Sequence, residues 1–259
     1  MPMRTNAIAE RGREAGEAVS AAGRAPGRVS QALIRLLMRR ATVAATERLT
    51  EGFTLLTLEG TALRDVAWTP GQKIQVAMGS AFVARTYTPI VWNAAAGRTC
   101  ILGFDPGEGP GARWLRHAAV GDACDLLGPR ASVDLRRLPG PIALFGDETA
   151  IGLGHALRHQ HPHSAVRCHF EVGDEAAARD VLRCMDLDDA ALFDRRADEA
   201  HLEAVEALLP ALDAGGATFV LTGRAGMVQR LHRALKRHAV PRGRILTKVY
   251  WAPGKTGLD

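Results

Sequence analysis

From residue 41 the chain alternates apolar and polar side chains in short runs, at 42–48, 53–59, 73–78, 85–92, 98–104 and 124–127. Turn residues such as Pro70-Gly71 and Gly121-Asp122 separate them. Alternation with a period of two puts successive side chains on opposite faces of a strand, so six short strands are predicted, arranged as a small antiparallel barrel. One helix interrupts them over about 111–117, directly after Gly107-Glu108-Gly109-Pro110.

The pattern changes at Leu138-Pro139-Gly140-Pro141. Apolar runs at 141–145, 165–172, 190–193, 218–222 and 244–251 then alternate with stretches of helical spacing over about 149–159, 174–184, 199–209 and 225–238. Leu202, Val205, Leu208 and Leu209 form a core stripe on the third of these. Strand followed by helix, repeated, builds a parallel sheet flanked by helices. The predicted architecture is β followed by α/β: an extension over 1–40, an antiparallel β-barrel over 41–138 and a parallel-sheet α/β domain over 139–259. Within the extension, residues 1–30 carry almost no large apolar side chains and are expected to be mobile or loosely helical. Ala32, Leu33, Leu36 and Leu37 are spaced for a short helix after Ser30.

Charge sharpens this division. The chain carries a net +5, and residues 1–40 alone hold eight arginines against three glutamates. The body is therefore near neutral, which argues against a dedicated nucleic-acid reader. The four cysteines (100, 124, 168 and 184) form no CxxC pair, as expected of a reducing compartment. No apolar run approaches the roughly 20 residues of a membrane span, and no apolar segment follows the basic N-terminal residues, so a cytoplasmic protein is expected.

Three constellations carry chemistry. On the predicted strand 85–92, Arg85 and Tyr87 share one face and Thr86 and Thr88 the other. A guanidinium can hold a diphosphate, a phenol ring can lie on a flat heterocycle and a hydroxyl can reach its edge, which together are the needs of a flavin dinucleotide. The turn Gly109-Pro110-Gly111-Ala112-Arg113-Trp114 offers backbone N–H groups at a helix start, a favourable place for an anion. Phe145-Gly146-Asp147-Glu148-Thr149-Ala150 and Leu221-Thr222-Gly223-Arg224 are strand-to-helix turns at the carboxyl edge of the predicted parallel sheet, where dinucleotides bind. The GxGxxG fingerprint is absent from the first turn, and its two acids are unusual for a phosphate loop.

This order of parts resembles the ferredoxin-reductase-like flavoenzymes. Arg85-Thr86-Tyr87-Thr88-Pro89, Gly146-Asp147-Glu148-Thr149-Ala150 and the terminal Val249-Tyr250-Trp251-Ala252-Pro253-Gly254-Lys255 further resemble the siderophore-interacting proteins, which are FAD-binding ferric-siderophore reductases. Gly109-Pro110 with Trp114 fits the same pattern, and the likeness spans about 42–257. It implies that Arg85 binds the FAD diphosphate, Tyr87 packs on the isoalloxazine, and Thr88 contacts the ring. It also implies that Gly111 and Ala112 present backbone to the diphosphate. Gly146, Asp147, Glu148, Thr149, Ala150 and Gly223 would border the nicotinamide, with Tyr250 and Trp251 near the flavin. Ala112 stands where a serine is common and Arg224 where glutamate is frequent, and the basic extension has no counterpart.

The implied reaction is reduction of FAD by NADH or NADPH, or by ferredoxin, followed by reduction of Fe(III) in a siderophore or other ferric chelate. The cofactors carry that chemistry, so no catalytic acid or base is assigned. Lys73, Lys248, Lys255, Arg242 and Arg244 are candidates for a basic rim toward an anionic chelate. Glu171 disfavours, and Arg195-Arg196 favour, a 2′-phosphate, which leaves coenzyme choice open. The rival readings are a general NAD(P)H:flavin or quinone reductase and a flavin- or siderophore-binding protein without turnover. His155 and His159, at i and i+4, can share a helix face, but Pro162 interrupts the histidine run and no carboxylate or cysteine falls at ligand spacing. They read as a solvated helix end, the 186–189 aspartate run as a polar loop, and no metal ligand is assigned.

Overall fold

The computed structural model describes residues 38–254, except 81–82, 106, 137 and 161–164. The first half is a seven-stranded antiparallel sheet of β1 (Arg39–Thr50), β2 (Phe53–Glu59), β3 (Lys73–Ser80), β4 (Val83–Tyr87), β5 (Pro89–Asn93), β6 (Arg98–Phe104) and β7 (Ala123–Arg130). Their spatial order is β4-β3-β7-β1-β2-β6-β5. The two outermost strands, β4 and β5, are consecutive in the chain and joined only by Thr88. A single residue cannot span an open seven-stranded sheet, so the sheet curls until its edges meet.

Here the predicted strand 85–92 divides in two. Pro89 has no N–H to continue the β4 ladder, and the chain leaves β3 to pair with β6 instead. The extension also ends sooner than predicted, because Arg39 and Arg40 are residues of β1. Arg39 Nη1 donates to the Ala62 carbonyl at 3.0 Å, and Arg40 pairs with Asp125 at 3.2 Å. The 32–37 helix expected from the sequence lies outside the described residues.

The second half is a five-stranded parallel sheet, ordered β10-β9-β8-β11-β12. Its strands are β8 (Ile142–Asp147), β9 (Val166–Val172), β10 (Ala191–Asp194), β11 (Thr218–Arg224) and β12 (Ile245–Trp251). Every residue of β8 and β11 is buried, as befits central strands covered on both faces. The helices are α1 (Pro110–His117) in the first half, then α2 (Ile151–Gln160), α3 (Glu175–Cys184), α4 (His201–Glu206), α5 (Leu209–Ala214) and α6 (Ala225–Arg237). The helix predicted over 199–209 begins later and breaks, since Glu199 takes a left-handed conformation (φ 58°) and the α4 and α5 segments are separate.

The barrel interior is filled by Val43, Leu56, Leu58, Ile74, Val76, Ile101 and Leu126. A second cluster runs without interruption from Phe53, Ile90 and Leu135 of the first half to Ile151, Leu153 and Phe170 of the second. Each such fully buried side chain contributes about 1.5–3 kcal/mol. The shared core therefore holds the two sheets at a fixed separation and leaves a cleft above it. Among the described residues no helix is long and apolar enough to cross a membrane.

Candidate functional site

The cleft has a volume of about 420 Å³ and is walled by both halves. Arg85, Thr86 and Tyr87 line it from β4 and Thr88 from the link to β5, with Lys73 from β3. All four residues of the motif reach it, although alternation predicts two faces, because β4 is an edge strand whose backbone side is open. Gly107, Gly109, Gly111 and Ala112 line the same wall from the loop before α1 and from its first turn. No side chain caps that turn, and Pro110 occupies the first helical position. The first N–H groups of α1 thus have no intrahelical acceptor and face the cleft. A Cβ on Gly111 would lie 3.1 Å from Arg85 Cγ and 3.2 Å from the Tyr87 hydroxyl, so the glycine lets the helix start nest against both side chains.

Tyr87 also packs on Trp114, with ring centroids 5.7 Å apart. Burial holds the Tyr87 phenol well above its usual pKa; Arg85 works against this and Asp105 with it. The phenol is therefore neutral throughout the physiological range. Trp114 does not line the cleft; it supports Tyr87 from behind.

The opposite wall belongs to the parallel sheet. Strand order reverses between β8 and β11, so the crevice at their carboxyl ends is the topological switch point, where open α/β sheets take their ligands. Thr149, Gly152, Lys248, Tyr250 and Trp251 line the cleft there, with Arg195 from beyond β10. Gly146, Asp147, Glu148, Ala150 and Gly223, expected at the same place, are buried and do not line the cleft, whereas Thr149 between them does. Asp147 is fully buried and accepts the Thr149 N–H at 2.9 Å, the Thr149 hydroxyl, and Trp251 Nε1 at 2.6 Å. Burial pushes its pKa up to about 6 and Glu148 adds to this, while the bonds from Thr149 and Trp251 oppose it. Gly223 has φ +94°, and a Cβ there would come within 2.7 Å of the Asp147 carboxyl carbon. Burial pushes the Tyr250 phenol up to about 12, and the neighbouring Thr88 and Thr222 hydroxyls oppose the rise. Thr222 approaches the phenol but completes no hydrogen bond.

Beside Glu148 lies a buried ionic network that the sequence reading missed. Glu171, with no exposed side-chain surface, accepts Arg224 Nε at 2.6 Å and Nη2 at 2.9 Å, and meets His201 Nε2 at 2.8 Å. Arg224 also reaches Glu199 at 2.5 Å, and Arg195 joins Glu148 to the Glu171 carbonyl. Burial would raise the Glu171 pKa, but the bonds from Arg224 and His201 outweigh it and hold the carboxyl below its usual value. Glu171 is thus committed to internal partners rather than presented to a ribose. The arginine at 224 is the structural counterpart of that buried acid.

Of the proposed basic rim, Lys73 and Lys248 line the cleft. Arg242 and Arg244 do not. They precede β12, at the amino edge of the parallel sheet, where Arg244 binds the Ala217 carbonyl at 3.1 Å and pairs with Asp213. Parallel strands begin at one edge and end at the other, so no residue just before β12 can share a rim with Lys248 near its end. Lys255 lies outside the described residues.

The two sheets, the shared core and the interposed cleft define the ferredoxin-reductase-like fold. The structure is similar to a siderophore utilization protein from T. fusca (24% identity, TM-score 0.68, covering 86% of this chain and 95% of that one). It is similar also to the siderophore-interacting protein SipS from Aeromonas hydrophila (20% identity, TM-score 0.70, 85% and 93% covered). A ferredoxin reductase in carbazole 1,9a-dioxygenase matches at 20% identity and TM-score 0.67, over 83% of this chain and 69% of that one. No protein-family model and no curated protein matches the chain.

Proposed function

We propose that this protein is an FAD-dependent oxidoreductase of the siderophore-interacting type, which uses NADH or NADPH to reduce Fe(III) held by a siderophore or another ferric chelate in the cytoplasm. The observation that carries this reading is the pairing of Arg85 and Tyr87 with the Gly111 turn on one wall, opposite Thr149, Tyr250 and Trp251 on the other. The donor set fits a flavin dinucleotide: a guanidinium and helix-start N–H groups for the diphosphate, and a neutral phenol ring with a neighbouring hydroxyl for the heterocycle. When bound, FAD supplies the means to accept an electron pair from a nicotinamide and deliver electrons singly to iron.

The residues bind and orient. Arg85 holds the diphosphate with the backbone of Gly109, Gly111 and Ala112. Tyr87, braced by Trp114, presents a flat apolar face, and Thr88 offers a hydroxyl at its edge. Thr149 receives the nicotinamide at the carboxyl end of the parallel sheet, and Trp251 shields that side from water. Lys73 and Lys248 favour an anionic chelate. Iron leaves after reduction because hard oxygen donors bind Fe(II) more weakly than Fe(III).

The siderophore utilization and siderophore-interacting proteins that share the fold support the iron chelate as substrate. The test is anaerobic. The purified yellow protein is mixed with NADH and, separately, with NADPH, then titrated with ferric chelates while flavin absorbance and Fe(II) capture are followed. Bleaching by at least one coenzyme and reoxidation by ferric siderophore is the expected result. A flavin that stays oxidised with both coenzymes excludes the nicotinamide step and leaves ferredoxin as the donor to examine. A reduced flavin that passes electrons to quinones but not to ferric chelates refutes the iron assignment.

A further inference from the structure

On the flank of the second half, away from the cleft, α2 ends beside the turn that follows α3. His155 and His159 face each other there, with ring centroids 4.0 Å apart. His155 Nδ1 lies 2.9 Å from the Met185 carbonyl and His159 Nδ1 lies 3.0 Å from the His155 carbonyl. A carbonyl can only accept, so both Nδ1 atoms carry the proton and both Nε2 atoms present lone pairs. Asp186 completes the group, its Oδ2 3.6 Å from His159 Nε2. One ligand atom from each of the three residues lies within 4.8 Å of the others. The carboxylate that spacing along the helix does not supply comes from 27 positions beyond His159, where α2 meets the turn that follows α3.

We infer that His155, His159 and Asp186 form a binding site for a divalent transition metal of the zinc type. Two imidazoles and a carboxylate are a borderline donor set that selects Zn²⁺, Ni²⁺ or Cu²⁺ over Mg²⁺ or Ca²⁺. Backbone carbonyls already hold the Nδ1 protons, which is the outer-shell arrangement that orients metal-binding histidines. Tetrahedral bonds of about 2.0 Å place neighbouring ligand atoms about 3.3 Å apart, close to the His159–Asp186 separation. His159 and Asp186 are exposed, so small rotamer changes close the remainder and leave a fourth position to water. The neighbouring cation, Arg158, spends its charge on Asp189 at 2.6 Å and on backbone carbonyls, not on the Asp186 carboxylate. A bound ion would clamp the end of α2 to the α3–β10 turn.

Calorimetric titration of the full chain with Zn²⁺ in a non-chelating buffer tests this, with Mg²⁺ as control. One equivalent of Zn²⁺ is expected to bind and to raise the melting temperature, with no response to Mg²⁺. His159→Ala and Asp186→Asn should each weaken Zn²⁺ by about tenfold or more while melting normally without metal. Asparagine suits position 186 because it tolerates the left-handed backbone found there (φ 52°). Cys184→Ser, which removes an exposed thiol nearby, should leave binding unchanged. Absence of a saturable equivalent in the unaltered chain overturns the assignment. So does unchanged binding in either the His159 or the Asp186 variant, or its loss with Cys184→Ser.

Discussion

Trp251 Nε1 donates to Asp147 Oδ2 at 2.6 Å, tying the last residue of β12 to the last residue of β8. These strands are not neighbours, because β11 runs between them. The bond therefore crosses above the carboxyl end of β11, over Gly223, where a missing side chain leaves room for the carboxylate. One acid, one indole and one glycine thus fix how the carboxyl ends of β8, β11 and β12 meet.

Gly223→Ala should disturb this junction more than its backbone conformation alone explains. Left-handed φ and a 2.7 Å contact with Asp147 act together, and a loss of about 3 kcal/mol or more is expected. Gly216→Ala is the internal control: its φ is +74° but nothing lies within 4 Å of the added carbon, so about 1 kcal/mol is expected. Denaturant unfolding of the two variants side by side checks the difference; equal losses would deny the contact.

Asp147 gives the chain a pH dependence of known sign. Its folded pKa, about 6, stands above the ordinary 3.8, so between those values the folded form holds a proton that the unfolded chain releases. Stability contributed by this group is full below the unfolded value and is lost as pH rises through about 6. Asp147→Asn cannot ionise there. The stability of the unaltered chain relative to this variant should fall by roughly 2–3 kcal/mol from acid to neutral pH. A difference that is flat with pH contradicts the burial argument.

Arg224→Ala should cost about 3–5 kcal/mol, because it strands the Glu171 carboxylate in the interior. Glu171→Gln combined with Arg224→Met removes both charges and should cost less than the single change. The held-down pKa of Glu171 means its stabilisation is present above its unfolded value of 4.5 and fades as pH falls below it. Arg224→Ala should therefore also flatten the acid limb of the stability profile. Thermal melts from acid to neutral pH measure both effects.

Arg85→Ala should weaken flavin retention without unfolding the chain. A charge-assisted contact contributes about 1.5–3 kcal/mol, or roughly ten- to a hundredfold in affinity. The side chain is only partly buried at the cleft, so the melting temperature of the flavin-free protein should barely move. Flavin content after gel filtration reads the first effect; an unchanged ratio would remove Arg85 from the site.

Alternation along the chain was enough to read both sheets and the helix at 110–117, because period and turn residues are local signals. Arg85, Tyr87 and the Gly111 turn were legible for the same reason. What escaped depends on pairing between distant segments. Pro89 does mark a break in residues 85–92, but nothing local says that β4 and β5 stand at opposite ends of the sheet. Glu171 read as a coenzyme selector because its partner is 53 residues away. β9 and β11 both flank β8, which brings their carboxyl ends within about 10 Å and so within reach of an arginine. Asp186 escaped His155 and His159 likewise, since its approach rests on the contact of α2 with a turn 27 residues further on. Arg242 and Arg244 were misjudged by their nearness in sequence to Lys248, which a strand carries to the other edge of the sheet.

The seam at Thr88 has a consequence for chain length. Elsewhere a barrel absorbs an extra residue in a loop; at this position the same insertion would shift the link that carries the chain from its pairing with β3 to its pairing with β6. The count of residues between Tyr87 and Pro89 is thus held more tightly than the identity of the one that fills it. Because Thr88 lines the cleft opposite Tyr250, a slip in that count would also reshape the space between the two halves of the molecule.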